Sequence, residues 1–83
     1  MTPYVADPVY LNGRFLPLAE AGISPLDRGF LYGDGVYELI PVYSQRPFRL
    51  AEHLTRLQAT LDGIRLANPL DAAGWTAVVE RLI

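Results

Sequence analysis

The sequence predicts an α+β fold with a small antiparallel sheet and two helices. Three observations support this prediction: a hairpin signal near the start, a β-rich run in the middle, and two helical patterns of apolar residues towards the end. The expected order along residues 1–83 is hairpin, loop, strand, short strand, helix and helix.

The hairpin is predicted from Asn12-Gly13, which lies between the short apolar runs Val9–Leu11 and Arg14–Leu16. A two-residue hairpin turn needs positive φ at both central positions, and Asn-Gly meets that need better than most pairs. We therefore expect a tight turn there, followed by a connection over residues 17–25.

The middle of the chain is expected to form a strand at Val36–Tyr43, because β-branched and aromatic residues dominate it. Alternation places Glu38 on one face with apolar neighbours and Tyr37 on the other. Since both faces are largely apolar, we expect cover on both sides. Pro41 cannot donate to a ladder, which predicts a bulge or an edge there. Residues 27–33 fit either a short helical turn or an extended segment.

Residues 44–47 are expected to form a turn, and residues 48–50 a short return strand or the beginning of a helix. From Leu50 to Ile64 the leucines and isoleucine step by four, three, four and three, which predicts an amphipathic helix over roughly Ala51–Leu66. Asp71 is the expected N-cap of a second helix. Its predicted buried stripe consists of Trp75, Val78, Val79 and Leu82. The chain stops within that stripe, so we expect residues 1–83 to be part of something larger.

Composition excludes several function classes. The formal charge is −2 without a basic cluster, so a nucleic-acid partner is not expected. No apolar run is long enough to span a membrane. One histidine and no cysteine leave no basis for a metal site, and the lack of cysteine fits a cytoplasmic protein. All seven basic residues are arginines, which bind anions but cannot form the Schiff base of a lysine amine.

Three side chains are candidates for a site, Glu38, Tyr37 and Arg56. Glu38 lies on an apolar face, so it needs a partner such as Arg28, an exposed edge position or a functional environment. Tyr37 follows a glycine turn and can either direct its hydroxyl into a cleft or pack in the core. Arg56 projects about 120° from the leucine stripe, where it can hold a phosphate or be solvated or ion-paired. His53 is expected to be a packed, hydrogen-bonded histidine.

Two motifs together resemble a known family. The run Asp27–Glu38, DRGFLYGDGVYE, resembles the signature of class IV (fold-type IV), pyridoxal-phosphate-dependent aminotransferases. His53–Leu57 matches the His-x-x-Arg-Leu of the same family, and Tyr10–Gly13 is also typical. The resemblance extends from about Val9 to the end. It implies that residues 1–83 are the small N-terminal domain of such an enzyme, without its lysine-bearing domain.

The resemblance implies roles for three residues. Arg56 would hold the phosphate of pyridoxal 5′-phosphate, Tyr37 would help bind the substrate carboxylate, and Glu38 would support the site. The family's Schiff-base lysine and the glutamate at the pyridine nitrogen match no position in this chain. The 83 residues alone are therefore expected to be inactive, and the cofactor to bind only together with the second domain. A homodimer is expected, since dimer contacts complete the family's site.

The implied reaction is reversible transfer of an amino group between an amino acid and a 2-oxo acid. The residues of the signature and of its continuation Ile40–Tyr43 resemble those of the D-amino acid aminotransferases most, so that branch of the family is favoured. Branched-chain aminotransferases and aminodeoxychorismate lyases share the framework and remain alternatives. The lack of lysine also leaves open a non-enzymatic binding or dimerisation module, or a binder of phosphate metabolites that uses Arg56 alone.

Overall fold

The fold is described from a computed structural model, which covers residues 7–83. Its elements in chain order are β1 (Pro8–Leu11), β2 (Arg14–Pro17), a 3-10 turn (Leu18–Glu20), α1 (Arg28–Tyr32), β3 (Val42–Tyr43), β4 (Arg46–Pro47), α2 (Leu50–Gly63) and α3 (Ala72–Leu82). This order confirms the α+β class. The described strands form two antiparallel pairs, β1–β2 and β3–β4. The domain assignment to residues 1–83 also includes residues 1–6, which lie outside the described part.

The chain divides into two compact units. The first ends at Asp34 and also takes in Leu82, while the second spans Gly35–Arg81 and takes in Ile83. The first unit contains the β1–β2 hairpin and α1. The second contains β3, β4, α2 and nearly all of α3. Glu38, His53 and Arg56 therefore all belong to the second unit.

The first hairpin is confirmed. Leu11 pairs with Arg14, so Asn12 and Gly13 form a two-residue turn with φ of 50° and 85°. Positive φ at both positions is the geometry that matches the twist of the flanking strands. Across the strands, the ring of Tyr10 lies 4.9 Å from that of its partner Phe15, measured between centroids.

The segment that the sequence left open between helix and extended chain is helical. Asp27 caps α1, because its carboxylate accepts a hydrogen bond from the backbone N–H of Gly29 at 2.9 Å. Gly33 ends the helix in the left-handed region at φ 70°. Arg28 then closes the segment through an ion pair with Asp34, with Nη2 and Oδ2 2.7 Å apart. The aspartates and glycines of residues 27–34 thus fix the backbone of this segment through contacts within the segment itself.

The predicted strand Val36–Tyr43 is wrong over most of its length. Only Val42–Tyr43 is paired, with Arg46–Pro47, and residues 36–41 have no partner strand within the described range. Side chains still alternate there: Glu38 faces inwards, whereas Tyr37 is 89% and Leu39 75% exposed. The expected cover on both faces is therefore wrong as well. Alternation records which side chains are sheltered, but a strand also needs a neighbour for its hydrogen bonds.

The turn expected at residues 44–47 is shorter, because Arg46 and Pro47 belong to β4. Ser44 and Gln45 make the turn with φ of 51° and 61°. Pro41 lies just before β3, and its carbonyl accepts a hydrogen bond from the backbone N–H of Phe48 at 2.8 Å. That bond closes the hairpin immediately before α2.

Both predicted helices are confirmed. α2 ends at Gly63, three residues before the predicted Leu66. The reason is a left-handed Arg65 at φ 58°, with the N–H of Leu66 donating to the carbonyl of Leu61 at 3.0 Å. Asp71 caps α3 as predicted, accepting from the N–H of Gly74 at 2.7 Å.

The second unit holds the buried apolar side chains of the described part, Leu61 on α2 and Val78 on α3. The connection between these helices is fixed by Asn68. Its Oδ1 accepts from Trp75 Nε1 at 2.6 Å, and its Nδ2 donates to Gln58 Oε1 at 3.0 Å. A groove of about 670 Å³ lies between α2 and α3, and the three side chains of this network are part of its lining.

The cap at Asp71 generates a stability prediction. Asp71→Ala should destabilise the second unit by about 1 kcal/mol, because the N–H of Gly74 loses its acceptor. Asp71→Asn should stay close to wild type, since an amide oxygen caps comparably. Urea unfolding followed by the fluorescence of Trp75, the single tryptophan, measures both variants. Equal stability of Asp71→Ala and wild type would contradict the assigned cap.

Candidate functional site

The candidate site is organised by the Glu38 carboxylate. Its side chain is only 9% exposed, although it lies on an unpaired extended segment. Oε1 lies 2.7 Å from His53 Nδ1, and Oε2 accepts from Arg56 Nε at 3.0 Å. Arg56 Nη2 also donates to Oε1. The fork of the guanidinium thus meets both carboxylate oxygens, and this contact joins the extended segment to α2.

The spacing of His53 and Arg56 explains how both reach one carboxylate. Residues three apart in a helix lie on the same side, one turn above the other. Both side chains come from the first two turns of α2. Opposite them, the alternation of residues 36–40 turns Glu38 inwards together with its apolar neighbours.

The contact to Glu38 also fixes the hydrogen position on His53. An ionised carboxylate can only accept, so Nδ1 must carry the hydrogen and donate it to Oε1. Arg56 Nη2 lies 3.4 Å from the same Nδ1, but two donors do not bond to each other. The expectation of a packed, hydrogen-bonded histidine is confirmed, since His53 is 16% exposed.

Glu38 is strongly acidic for a sheltered carboxyl group. The hydrogen bonds from Arg56, and next those from His53, lower the pKa of Glu38 from 4.5 to about 2, against the opposing effect of burial. The same contact with Glu38 raises the pKa of Arg56. The pair is therefore fully ionised at neutral pH. The ion-pair interpretation of Glu38 holds, but its suggested partner Arg28 is wrong, because Arg28 pairs with Asp34.

Arg56 keeps a free side towards solvent. The guanidinium has five N–H donors, and the fork onto Glu38 uses two of them. The side chain is 65% exposed and borders a cavity of about 340 Å³, which is also lined by Arg49, Glu52 and His53. The lateral projection expected from the helical wheel is therefore observed. Arg56 can hold an anion while it stays paired with Glu38.

Tyr37 precedes Glu38 and points to the other side of the extended segment, where it is 89% exposed. The alternative of a core tyrosine is therefore wrong. Tyr37 lies near enough to Arg56 to contribute, well behind Glu38, to the raised pKa of that arginine. The structure thus brings Glu38 and Arg56 into contact, whereas Tyr37 faces the other side of the segment and is not part of the lining of the cavity beside Arg56.

Two features of the site were not found from the sequence. Arg49 lines the same cavity as Arg56, after adopting a left-handed φ of 53° just before α2. The sequence predicts a hydrogen bond for His53 but not its partner, which is Glu38. The one usable signal was the three-residue spacing of His53 and Arg56 beside a single inward carboxylate. Within residues 7–83, no group of three acidic, histidine or cysteine side chains is placed to hold a metal ion. No helix in that range is long and apolar enough to cross a membrane.

Comparison with known proteins gives related sequences, although no family model matches the chain. The aminodeoxychorismate lyase of Bacillus subtilis is 41% identical over 75 residues, which is 90% of this chain and 26% of that protein. The D-alanine aminotransferase of Staphylococcus aureus is 41% identical over 58 residues, 70% of this chain and 21% of that protein. A putative branched-chain-amino-acid aminotransferase of Methanocaldococcus jannaschii is 42% identical over 62 residues, 75% of this chain and 22% of that protein.

The chain is homologous to the N-terminal part of the fold-type IV aminotransferase group. The resemblance carried by the two motifs is thereby confirmed, and it includes both the favoured D-amino acid branch and the two alternatives. The chain spans about a quarter of the length of these relatives, 21–26%. The three named activities match at nearly equal identity, so sequence similarity alone does not separate them within the fold-type IV group.

The depressed pKa of Glu38 generates a pH prediction. A carboxyl group with a lower pKa in the folded state stabilises the fold fully above its unfolded pKa, near 4.5, and loses that contribution as the pH falls towards 2. Glu38→Gln should remove this part of the acid dependence, because an amide does not titrate in this range. The exposed Glu80 supplies the matched control Glu80→Gln.

Thermal melting of wild type and both variants between pH 2 and pH 6, followed by Trp75 fluorescence, makes this measurement. The difference between wild type and Glu38→Gln should shrink as the pH falls from 4.5 to 2. A difference that stays constant over that range would show that Glu38 does not titrate with a depressed pKa.

Proposed function

We propose that this chain is the N-terminal small domain of a pyridoxal-phosphate-dependent transaminase. The complete protein would move an amino group between an amino acid, preferably of D configuration, and a 2-oxo acid. One observation carries the proposal: the Arg56 guanidinium is held by Glu38 with three N–H donors left over. The D-alanine aminotransferase among the relatives supports the choice of substrate.

The residues fit a phosphate ester. A guanidinium binds phosphate through parallel N–H bonds, and such charge-assisted bonds are stronger than neutral ones. In the proposed site the free N–H groups of Arg56 bind the phosphate, while Glu38 keeps the guanidinium from turning. Pyridoxal phosphate, when bound, supplies the electron sink for amino-group chemistry. The lysine required for that chemistry would come from a later domain, so the 83 residues alone are proposed to be inactive.

Tyr37 is the residue proposed to recognise the substrate. Its exposed phenol can donate a hydrogen bond to a carboxylate, which both the amino acid and the 2-oxo acid carry. A tyrosine next in sequence to the arginine's anchor would place the substrate carboxylate at a fixed distance from the cofactor phosphate. The order Tyr37-Glu38 therefore supports one region that recognises both groups.

The remaining parts of the proposal rest on the family. The second domain and a second subunit would complete the site in a homodimer, and the location would be the cytoplasm, which the lack of cysteine supports. An aminodeoxychorismate lyase is the second candidate, because the Bacillus subtilis relative matches 90% of the chain. A branched-chain aminotransferase is the third.

The phosphate role of Arg56 is tested by cofactor binding. In the complete protein, Arg56→Ala should weaken the binding of pyridoxal phosphate by about tenfold or more, because bonds from a charged donor to an anion are lost. The affinity of Arg56→Lys for pyridoxal phosphate should lie between those of wild type and Arg56→Ala, since lysine keeps the charge but not the two parallel N–H groups. Equilibrium titration of the cofactor-free protein measures all three. Pyridoxal, which lacks the phosphate, is the control ligand and should bind wild type and variants alike.

The substrate assignment is tested by an amino-donor panel. The complete protein should transfer the amino group of D-amino acids to a 2-oxo acid faster than that of L-amino acids. Tyr37→Phe should raise the KM for the amino acid about tenfold through the lost hydrogen bond, with the affinity for pyridoxal phosphate unchanged.

The panel also includes branched-chain L-amino acids and aminodeoxychorismate. Preferred transfer from the L-amino acids would assign the chain to the branched-chain enzymes. Release of product from aminodeoxychorismate without transfer would assign it to the lyases. Either result would contradict the D-amino acid proposal.

A further inference from the structure

The histidine of the site has no role in the proposed function, and its geometry points to one. His53 Nδ1 donates to Oε1 of Glu38 at 2.7 Å, and Arg56 Nη2 donates to the same oxygen. His53 and Glu38 are 16% and 9% exposed, whereas Arg56 is 65% exposed. The three side chains therefore form a sequence of contacts that is sheltered at the histidine end and open at the arginine end.

Each contact restricts a different freedom. The bidentate contact keeps the guanidinium and the carboxylate in a shared orientation, but the two groups could still swing together about the Glu38 side chain. The bond from His53 opposes that swing, because the imidazole is planar and sits on the first turns of a regular helix. The orientation of the guanidinium is thus fixed relative to α2, the helix that carries both His53 and Arg56.

Orientation matters for an exposed arginine that binds an anion. A long side chain with free rotamers loses conformational entropy when it is ordered by a ligand, and a preorganised side chain avoids most of that loss. The negative charge of Glu38 also offsets the positive charge of Arg56, so long-range attraction alone does not explain an affinity for phosphate. What the carboxylate and the imidazole supply is a fixed direction for the three remaining N–H groups.

We infer that His53 is a positioning residue, which acts through Glu38 to hold Arg56 in the orientation that binds a phosphate ester. This inference rests on the proposed function, because it takes the phosphate of pyridoxal phosphate as the ligand. His53 itself touches neither the phosphate nor the substrate. Its contribution is transmitted through one hydrogen bond, from Nδ1 to Oε1.

Two substitutions separate this role from simple packing. The side-chain amide nitrogen of asparagine can take the place of Nδ1, whereas that of glutamine takes the place of Nε2. His53→Gln should therefore weaken the binding of pyridoxal phosphate by about tenfold, which is the lower end of the effect measured for residues that orient the ligands of a metal ion. His53→Asn should restore the affinity to within about threefold of wild type.

The experiment uses the complete protein freed of cofactor. Pyridoxal phosphate, pyridoxal and inorganic phosphate are titrated against wild type, His53→Gln, His53→Asn and Arg56→Ala, and the melting temperature of each is recorded. The inference expects the loss only for the two phosphate-containing ligands, with rescue by asparagine. Equal losses in His53→Gln and His53→Asn, or an equal loss for pyridoxal, would overturn it.

The outcomes distinguish the inference from the proposed function. If Arg56→Ala loses affinity while His53→Gln does not, the inference fails and the phosphate site stands. If Arg56→Ala binds as wild type does, the phosphate site itself fails. Should His53→Gln not fold, the decision passes to exchange of the Arg56 Nε–H, measured by nuclear magnetic resonance on wild type, His53→Asn and His53→Ala. Protection kept in His53→Asn and lost in His53→Ala supports the inference, and equal protection in all three proteins overturns it.

Discussion

An ionised carboxylate that is nearly withdrawn from water sets the structure of the second unit. Burying the charge of Glu38 without partners would cost more than the segment around it could offset. His53 and Arg56 supply those partners, and together they keep the pKa of Glu38 at about 2. Because residues 36–41 have no ladder hydrogen bonds to a described strand, this contact is what ties the extended segment to α2.

Features that depend on neighbours in sequence could be predicted. The Asn12-Gly13 turn, the cap at Asp71 and the leucine stripe of α2 are each determined within a few residues, and the structure has all three. The strand at Val36–Tyr43 could not be predicted in the same way. Its β-rich composition describes a segment that is suited to a sheet, but only pairing makes a strand, and Val42–Tyr43 alone has a partner in the described chain.

In the site, too, the sequence predicts what depends on nearby residues and not what depends on distant ones. A carboxylate on an apolar face had to have a partner, and that much followed from the sequence. The identity of the partner did not follow, because Arg56 lies 18 residues further along the chain. Arg28, the suggested partner, is held by Asp34 only six residues away, where a short loop makes the contact easy to close. Once α2 is in place, however, its three-residue spacing brings His53 and Arg56 to one side together.

The pairing of Glu38 with Arg56 also limits how this region can recognise an anion. A compensated ion pair on a chain with net charge −2 produces little attraction beyond a Debye length of about 8 Å at physiological ionic strength. In the proposed site, selectivity would therefore arise at contact, from the direction of the three free N–H groups and from the phenol of Tyr37. Short-range, directional contacts favour a ligand that offers two anionic groups at a set separation over a simple ion. Under the proposed function, the phosphate of the cofactor and the carboxylate of the substrate would be those two anionic groups, and the orientation that Glu38 gives to Arg56 would matter more than the charge of Arg56.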